Sequence, residues 1–161
     1  MSLVDTFLPE FDQEMRGTRS IIELVPDSLL DWKAHATLNT VGWVASHLTD
    51  TLSWTGAIVA DTSFDVAPVD GPAHQSPVLN SAQEILAAFD QNLTTARGAI
   101  AEASDEQLMV PWSLLQGGNT LFTLPRIAVL KTFLINHVVH HRAFLVAYLR
   151  MNDVECPGLY D

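Results

Sequence analysis

Three histidines carry the chemistry that this sequence suggests. His137 and His141 are four residues apart near the end of the chain, and His47 lies in a separate apolar segment. On a helix, such a pair stacks on one face with Cβ atoms about 6 Å apart, so both imidazoles can bind one divalent ion at about 2.0–2.1 Å. With His47 as a third ligand, the set has three neutral nitrogens and an open position, which is typical of a catalytic metal site.

The positions of these histidines favour a metal over a purely structural role. Each occupies a place where the surrounding helical pattern has apolar residues, and a buried imidazole costs free energy unless it finds a partner. A single core histidine is more often bonded to backbone or water, and that alternative stays open for each of the three taken alone. A shared ion would satisfy all three together.

The other candidate residues are less well placed. His140 points about 100° away from its neighbour in the pair, so we expect it to be exposed or to lie behind the ligands. His35 and His74 fall in predicted connections and are not expected to be ligands. Asp50, one turn after the first histidine, either orients an imidazole or is a solvated or helix-flanking charge, and the second alternative is the more common.

Several motifs of known catalytic sites are absent from the sequence, and their absence limits the reactions that the histidines suggest. The histidine pair lacks the glutamate of H-E-x-x-H, which argues against a zinc protease, and the chain lacks the E-x-x-H pairs of di-iron bundles. No Ser-His-Asp or Cys-His arrangement is apparent. Nitrogen ligands suit Zn²⁺, Ni²⁺, Fe²⁺ or Cu²⁺. Such a metal with an open position lowers the pKa of a bound water or thiol.

Four long segments have the apolar periodicity of helices. They are residues 3–25, 40–60, 81–103 and 124–151. The start of the first is open between residue 3 and a later position that puts Pro9 in the first turn. The third opens with Ser81 and Glu84 in the S-x-x-E pattern of a capping box. Without strand-like alternation, these segments predict one all-α domain over residues 1–161, a four-helix bundle with long connections.

The boundaries of the last helix and of the connections follow from proline and glycine. The fourth helix is predicted to begin near Leu124, with Thr123 as its cap and Pro125 in its first turn. The segments 61–77 and 104–123 are predicted to be loops. Both are longer than the usual helix–helix connection, and long loops are often functional.

Composition limits the partners and the compartment. Nineteen acidic against eight basic residues give a net charge of −11, which disfavours nucleic acid and anionic membranes as partners. The apolar stretches 41–60 and 127–149 contain charges and imidazoles, which argues against membrane spans. The single cysteine, Cys156, forms no internal disulfide and is expected to be inert. With no signal-peptide pattern at the N-terminus, we expect a cytoplasmic protein.

Several segments resemble the DinB-like family. They are VGWVASHL around His47, NHVVHHR around His137 and His141, the following YLR, and the ending PGLY. The resemblance covers nearly the whole chain. The family often has Gly-Gln after the His-Arg pair, whereas this chain has Ala143 and Phe144, so a polar substrate contact from that glutamine is not carried over.

The resemblance implies a fold, a metal and an activity. It implies an up-down-down-up bundle in which His47, His137 and His141 hold a divalent metal, first of all zinc or nickel, with iron as a further candidate. Members are commonly homodimers. The characterised relatives are bacillithiol S-transferases and mycothiol-dependent maleylpyruvate isomerases, which implies a low-molecular-weight thiol as cosubstrate and a small electrophile as substrate.

Three functions are open at this point. The first is a metal-dependent thiol S-transferase, in which the metal binds the thiol as thiolate for attack on an electrophile. The second is a non-enzymatic metal-binding or stress-response protein. The third is a helical interaction module whose histidines are satisfied within the core.

Overall fold

The helices of the computed structural model, which describes residues 2–160, closely follow the four predicted segments. The α-helices are α1 Leu3–Ile22, α2 Val41–Ala60, α3 Ala82–Ala101, α4 Asp105–Met109, α5 Arg126–Val129 and α6 Asn136–Met151. A 3₁₀ turn spans Asp27–Leu29, and a π-helical segment, Leu130–Ile135, joins α5 to α6. Within the described residues, no helix is both long enough and apolar enough to cross a bilayer.

The long helices pack as a four-membered bundle. Both α1 and α2 contact α3 on one side and α6 on the other, which closes the arrangement around one apolar core. Fully buried side chains from all four helices fill this core, among them Phe11, Met15, Leu48, Phe89 and Leu145. The predicted bundle of long helices is therefore confirmed.

Side-chain caps explain where two of the helices begin. The Ser2 hydroxyl accepts from the Asp5 amide at 3.0 Å, and the Asp5 carboxylate accepts from the Ser2 amide at 2.9 Å. This capping box starts α1 at Leu3, so Pro9 lies inside the helix rather than in its first turn. Ser81 caps α3 as predicted, because its hydroxyl accepts from the Glu84 amide at 3.1 Å, but the Glu84 carboxylate accepts from the Asn80 amide, so the reciprocal half of the capping box is not formed.

A small sheet corrects the all-α prediction. Its strands are β1 Ser63–Asp65, β2 Pro111–Gln116 and β3 Asn119–Pro125. β1 runs parallel to β2, and β2 runs antiparallel to β3. Gly117 and Gly118 make the hairpin turn at φ of +59° and +77°, a conformation that glycine adopts without steric cost. The two long connections thus contain strands and the short α4, and are not simple loops.

The hairpin also shifts the start of the last helix. Because β3 extends through Pro125, α5 begins at Arg126, and proline precedes the helix instead of occupying its first turn. Thr123 is not a cap, since its hydroxyl pairs with that of Ser113 across the sheet at 2.7 Å. The prediction of a helix start near Leu124 with Thr123 as cap is therefore wrong.

One carboxylate ties the α2–α3 connection to the hairpin. Asp65 accepts backbone hydrogen bonds from Ala67 and Gly117 at 3.0 Å and from Gly118 at 2.7 Å. The chain then folds back, and the amide of His74 donates to the carbonyl of Val66 at 2.7 Å. These contacts hold the connection against the rest of the molecule and fix its path.

A buried ion pair joins α6 to α1. The Arg142 side chain is 3% exposed and donates to the Glu14 carboxylate at 2.6 Å. It also donates to the Glu14 carbonyl, to the hydroxyl of Thr18 and to that of Tyr160. Because Arg142 follows His141 in the chain, this pair anchors α6 beside the histidines.

Breaking the buried pair should cost far more than breaking an exposed one on the same helix. Glu14→Ala leaves the Arg142 guanidinium buried without its carboxylate, and we expect the free energy of unfolding to fall by about 3 kcal/mol. The matched control is Glu10→Ala, whose partner Lys131 is 58% exposed. That change should cost less than about 1 kcal/mol. Urea unfolding measures both, and equal losses would contradict the prediction.

Candidate metal centre

The structure brings the three predicted histidines together between α2 and α6. One ring nitrogen from each of His47, His137 and His141 lies within 4.8 Å of the others. The Nε2 atoms of His47 and His137 are 2.8 Å apart, and the ring centroids of His137 and His141 are 4.6 Å apart. All three side chains are half-buried. This triad could hold a metal ion.

The geometry and the donor types fit a divalent ion. Two nitrogens that each lie about 2.0–2.1 Å from one ion are about 2.9 Å apart at a right angle and about 3.3 Å apart at the tetrahedral angle. The 2.8 Å between the Nε2 atoms of His47 and His137 is close to the right-angle value and shorter than the tetrahedral one. Three neutral imidazoles without a carboxylate or thiolate form a set that suits borderline metals such as zinc and nickel.

The π-helical segment before α6 sets the direction of two members of the triad. A π turn contains one residue more than an α turn, and one residue corresponds to about 100° of rotation. Residues after the segment are therefore rotated relative to an uninterrupted helix. In this register His137 and His141 face α2.

Aromatic rings surround the triad and exclude part of the solvent. Trp43 stacks on His47 with ring centroids 4.6 Å apart and planes 18° apart. Phe133 lies edge-on to His137 at 5.5 Å. A cluster of imidazoles enclosed in this way loses hydration, which disfavours its charged forms.

Burial keeps the three imidazoles neutral. Desolvation, with a smaller contribution from neighbouring imidazoles, lowers the pKa of His137 to about 4 and that of His141 to about 3. Desolvation also lowers the pKa of His47, although the nearby Asp50 opposes this shift. At neutral pH each ring therefore keeps a lone pair, which metal ligation requires.

Asp50 lies beside the triad and is not a solvated charge. Its side chain is 7% exposed, and its Oδ2 atom accepts from His74 at 2.8 Å and from the Ser76 hydroxyl at 2.9 Å. Ser76 in turn lies 2.7 Å from Nδ1 of His47. The expectation of a solvated charge is wrong, and Asp50 reaches the imidazole through a serine that no sequence pattern indicated.

The remaining candidates lie outside the triad. His140 is exposed and contacts His141 edge-on at 5.0 Å. His35 is exposed and pairs with Thr37. Cys156 is half-buried, and burial raises the pKa of its thiol, which makes it a poor nucleophile.

Two cavities adjoin the site. The smaller, about 60 Å³, is lined in part by His141. The larger, about 330 Å³, lies against Trp43 and is lined by polar groups that include Asp31 and Thr40. Its volume falls within the range of small-molecule sites, about 300–1,000 Å³.

The fold and the triad define a helical-bundle protein with a candidate metal centre. The sequence profile of the DinB superfamily matches residues 10–145. The uncharacterized protein YrdA of Bacillus subtilis (strain 168) is 27% identical over 157 residues, which cover 98% of this chain and 87% of that protein. The chain therefore belongs to the DinB superfamily.

Solved structures show the same fold. A DinB-like protein from Bacillus cereus ATCC 10987 has a TM-score of 0.73 at 22% identity, over 97% of both chains. A second, the DinB-like protein YjoA of Bacillus subtilis, has a TM-score of 0.69 at 15% identity, over 98% of this chain and 96% of that one. At these identities the likeness shows the fold alone.

The metal-free protein should lose stability as the pH falls from about 6.5 to about 4. Unfolded histidines take up protons near pH 6.5, whereas His137 and His141 stay neutral until about 4 and about 3. The unfolded state therefore binds more protons in this window, and the free energy of unfolding falls with the pH. Urea unfolding of chelator-treated protein at several pH values measures the slope. His141→Gln should make it shallower, and an unchanged slope would contradict the assignment.

Proposed function

We propose that this protein is a metal-dependent thiol S-transferase that joins a low-molecular-weight thiol to a small electrophile. The observation that carries the proposal is the convergence of three neutral imidazoles at one point between α2 and α6. Membership of the DinB superfamily supports it, because the resemblance implies thiol-dependent enzymes. We further propose that it acts in the cytoplasm as a homodimer.

In this proposal the chain supplies the ligands and the surroundings of the reaction. His47, His137 and His141 would hold the ion, with zinc or nickel as the first candidates and iron as a further one. A bound divalent ion supplies Lewis acidity at an open position, which lowers the pKa of a thiol there. The thiol sulfur would lose its proton to solvent and bond to the electrophilic carbon. The electron pair of the bond that breaks at this carbon would leave with a leaving group, or would pass to the neighbouring atom, which would then take up a proton.

Trp43 links the triad to the proposed place of the substrate. Its ring stacks on His47, and the same residue lines the cavity of about 330 Å³, a cleft beside the triad. The carboxylates of Asp27 and Asp31 on this cleft suit hydroxyl or amine groups of a polar thiol. We propose this cleft for the part of the substrate that does not react.

The small cavity at His141 favours a second candidate function. Its volume of about 60 Å³ has space beside the triad only for ligands that are little larger than a water molecule. A non-enzymatic metal-binding protein needs no more space than this. The two candidates share the metal and differ in thiol binding.

Metal content tests both candidates against a helical module without metal. Protein purified without chelator should carry about one equivalent of zinc, nickel or iron, and His137→Ala should carry less than about a tenth, because two imidazoles hold an ion weakly. The control is His140→Ala, which removes the adjacent imidazole outside the triad. Elemental analysis gives the content. A metal-free wild type, or equal loss in both variants, would contradict the proposal.

Thiol binding separates the enzyme from the metal-binding protein. Addition of 2-mercaptoethanol to the cobalt-substituted protein should produce a sulfur-to-metal charge-transfer band, since a thiolate would fill the open position. The metal-loaded protein should also conjugate that thiol to 1-chloro-2,4-dinitrobenzene. The control is His35→Ala, because His35 lies on an exposed turn. This variant should keep the wild-type rate of conjugation. Equal rates for wild type and His137→Ala would refute the transferase.

A further inference from the structure

Ser76 lies between a member of the triad and a buried carboxylate. Its hydroxyl oxygen is 2.7 Å from Nδ1 of His47 and 2.9 Å from Oδ2 of Asp50. His47 and Asp50 both belong to α2, whereas Ser76 lies in the connection between α2 and α3. Ser76 therefore links two residues of one helix, although it lies far from both of them in sequence.

The number of protons available to these three side chains determines which of them donates and which accepts in each hydrogen bond. An ionised carboxylate only accepts hydrogen bonds, so the single proton of the Ser76 hydroxyl goes to Asp50. The serine oxygen must then accept from His47, which places the proton of that imidazole on Nδ1. A neutral imidazole has one N–H, so Nε2 carries the lone pair, and Nε2 is the atom that faces His137 at 2.8 Å.

Burial and a second hydrogen-bond donor strengthen the hydrogen bond that Asp50 accepts from Ser76. Its side chain is 7% exposed, and the same Oδ2 atom also accepts from Nε2 of His74 at 2.8 Å. The ring of His74 is in turn held edge-on against Trp54 at 4.8 Å. A charge-assisted hydrogen bond in such a place is stronger than one in water. The connection thus closes over the carboxylate from two sides.

We propose that Ser76, held by Asp50, is a positioning residue of the metal centre: it locks His47 in the Nδ1–H tautomer, so that Nε2 is always free to bind the ion. This inference rests on the proposed metal binding. It also gives the α2–α3 connection a function, because the connection determines the affinity of the triad for its ion. In a metal site, a ligand held in this way binds more tightly than a freely rotating one.

The tautomer can be measured without any metal. Long-range ¹H–¹⁵N spectra of the chelator-treated protein at neutral pH distinguish a protonated from an unprotonated ring nitrogen. For His47 we expect a protonated Nδ1 and an unprotonated Nε2. In Ser76→Ala, we expect a mixture of the two tautomers, and Ser76→Thr should restore the first. A wild-type His47 protonated on Nε2 would overturn the inference.

The affinity for zinc tests whether the fixed tautomer of His47 strengthens metal binding. Competition with a chromophoric chelator should show zinc binding weakened about 10- to 100-fold in Ser76→Ala and in Asp50→Asn. Ser76→Thr keeps the hydroxyl and should restore most of the affinity. The matched control is Ser63→Ala, an exposed serine of the same connection, which should bind zinc as the wild type does. Equal affinities of wild type and Ser76→Ala would overturn the inference.

Different results would contradict the proposed function and the positioning role of Ser76. A wild type that takes up no metal contradicts the proposed function, and the tautomer spectrum then decides by itself whether Ser76 locks the imidazole. A wild type that binds metal as tightly as Ser76→Ala contradicts only the positioning role. Should Asp50→Asn fail to fold, the serine variants still decide the outcome, because they leave the buried carboxylate in place.

Discussion

The approach of α2 to α6 at the imidazoles is the constraint on which the rest of the structure depends. His47 and His137 face each other with their Nε2 atoms 2.8 Å apart, and His141 lies one turn further along α6. Burial removes water from these rings and keeps them uncharged. Lone pairs brought so close repel each other unless a proton or a cation lies between them. The packing of the bundle therefore creates a site whose nitrogens need a shared partner.

The surrounding contacts hold the two helices in this relation. The Arg142–Glu14 pair fixes α6 against α1 next to the triad. Asp65 ties the α2–α3 connection to the glycine turn of the hairpin, and the connection then covers Asp50. The sheet is small, but it anchors the segment that carries Ser76. Elements at the edge of the bundle thus determine how the central imidazoles are oriented.

Local patterns predicted much of this architecture. The four helical segments, the Ser81 cap and the position of the histidines on core-facing positions follow from periodicity and capping rules. The hairpin is not among the predicted elements, although Trp112 and Leu114 alternate with more exposed residues and a Gly-Gly turn follows. The parallel pairing of β1 with β2 has no local signal, because it joins segments about fifty residues apart in sequence.

The sequence by itself determined which residues are able to ligate a metal and on which helices they lie, because spacing along a helix is a local property. Only the tertiary structure decided that the three imidazoles converge, since this depends on the packing of α2 on α6 and on the rotation after the π-helical segment. The same holds for Ser76 and Asp50. Their contact with His47 requires the connection to fold back over α2, and long-range contacts of this kind leave no pattern among neighbouring residues.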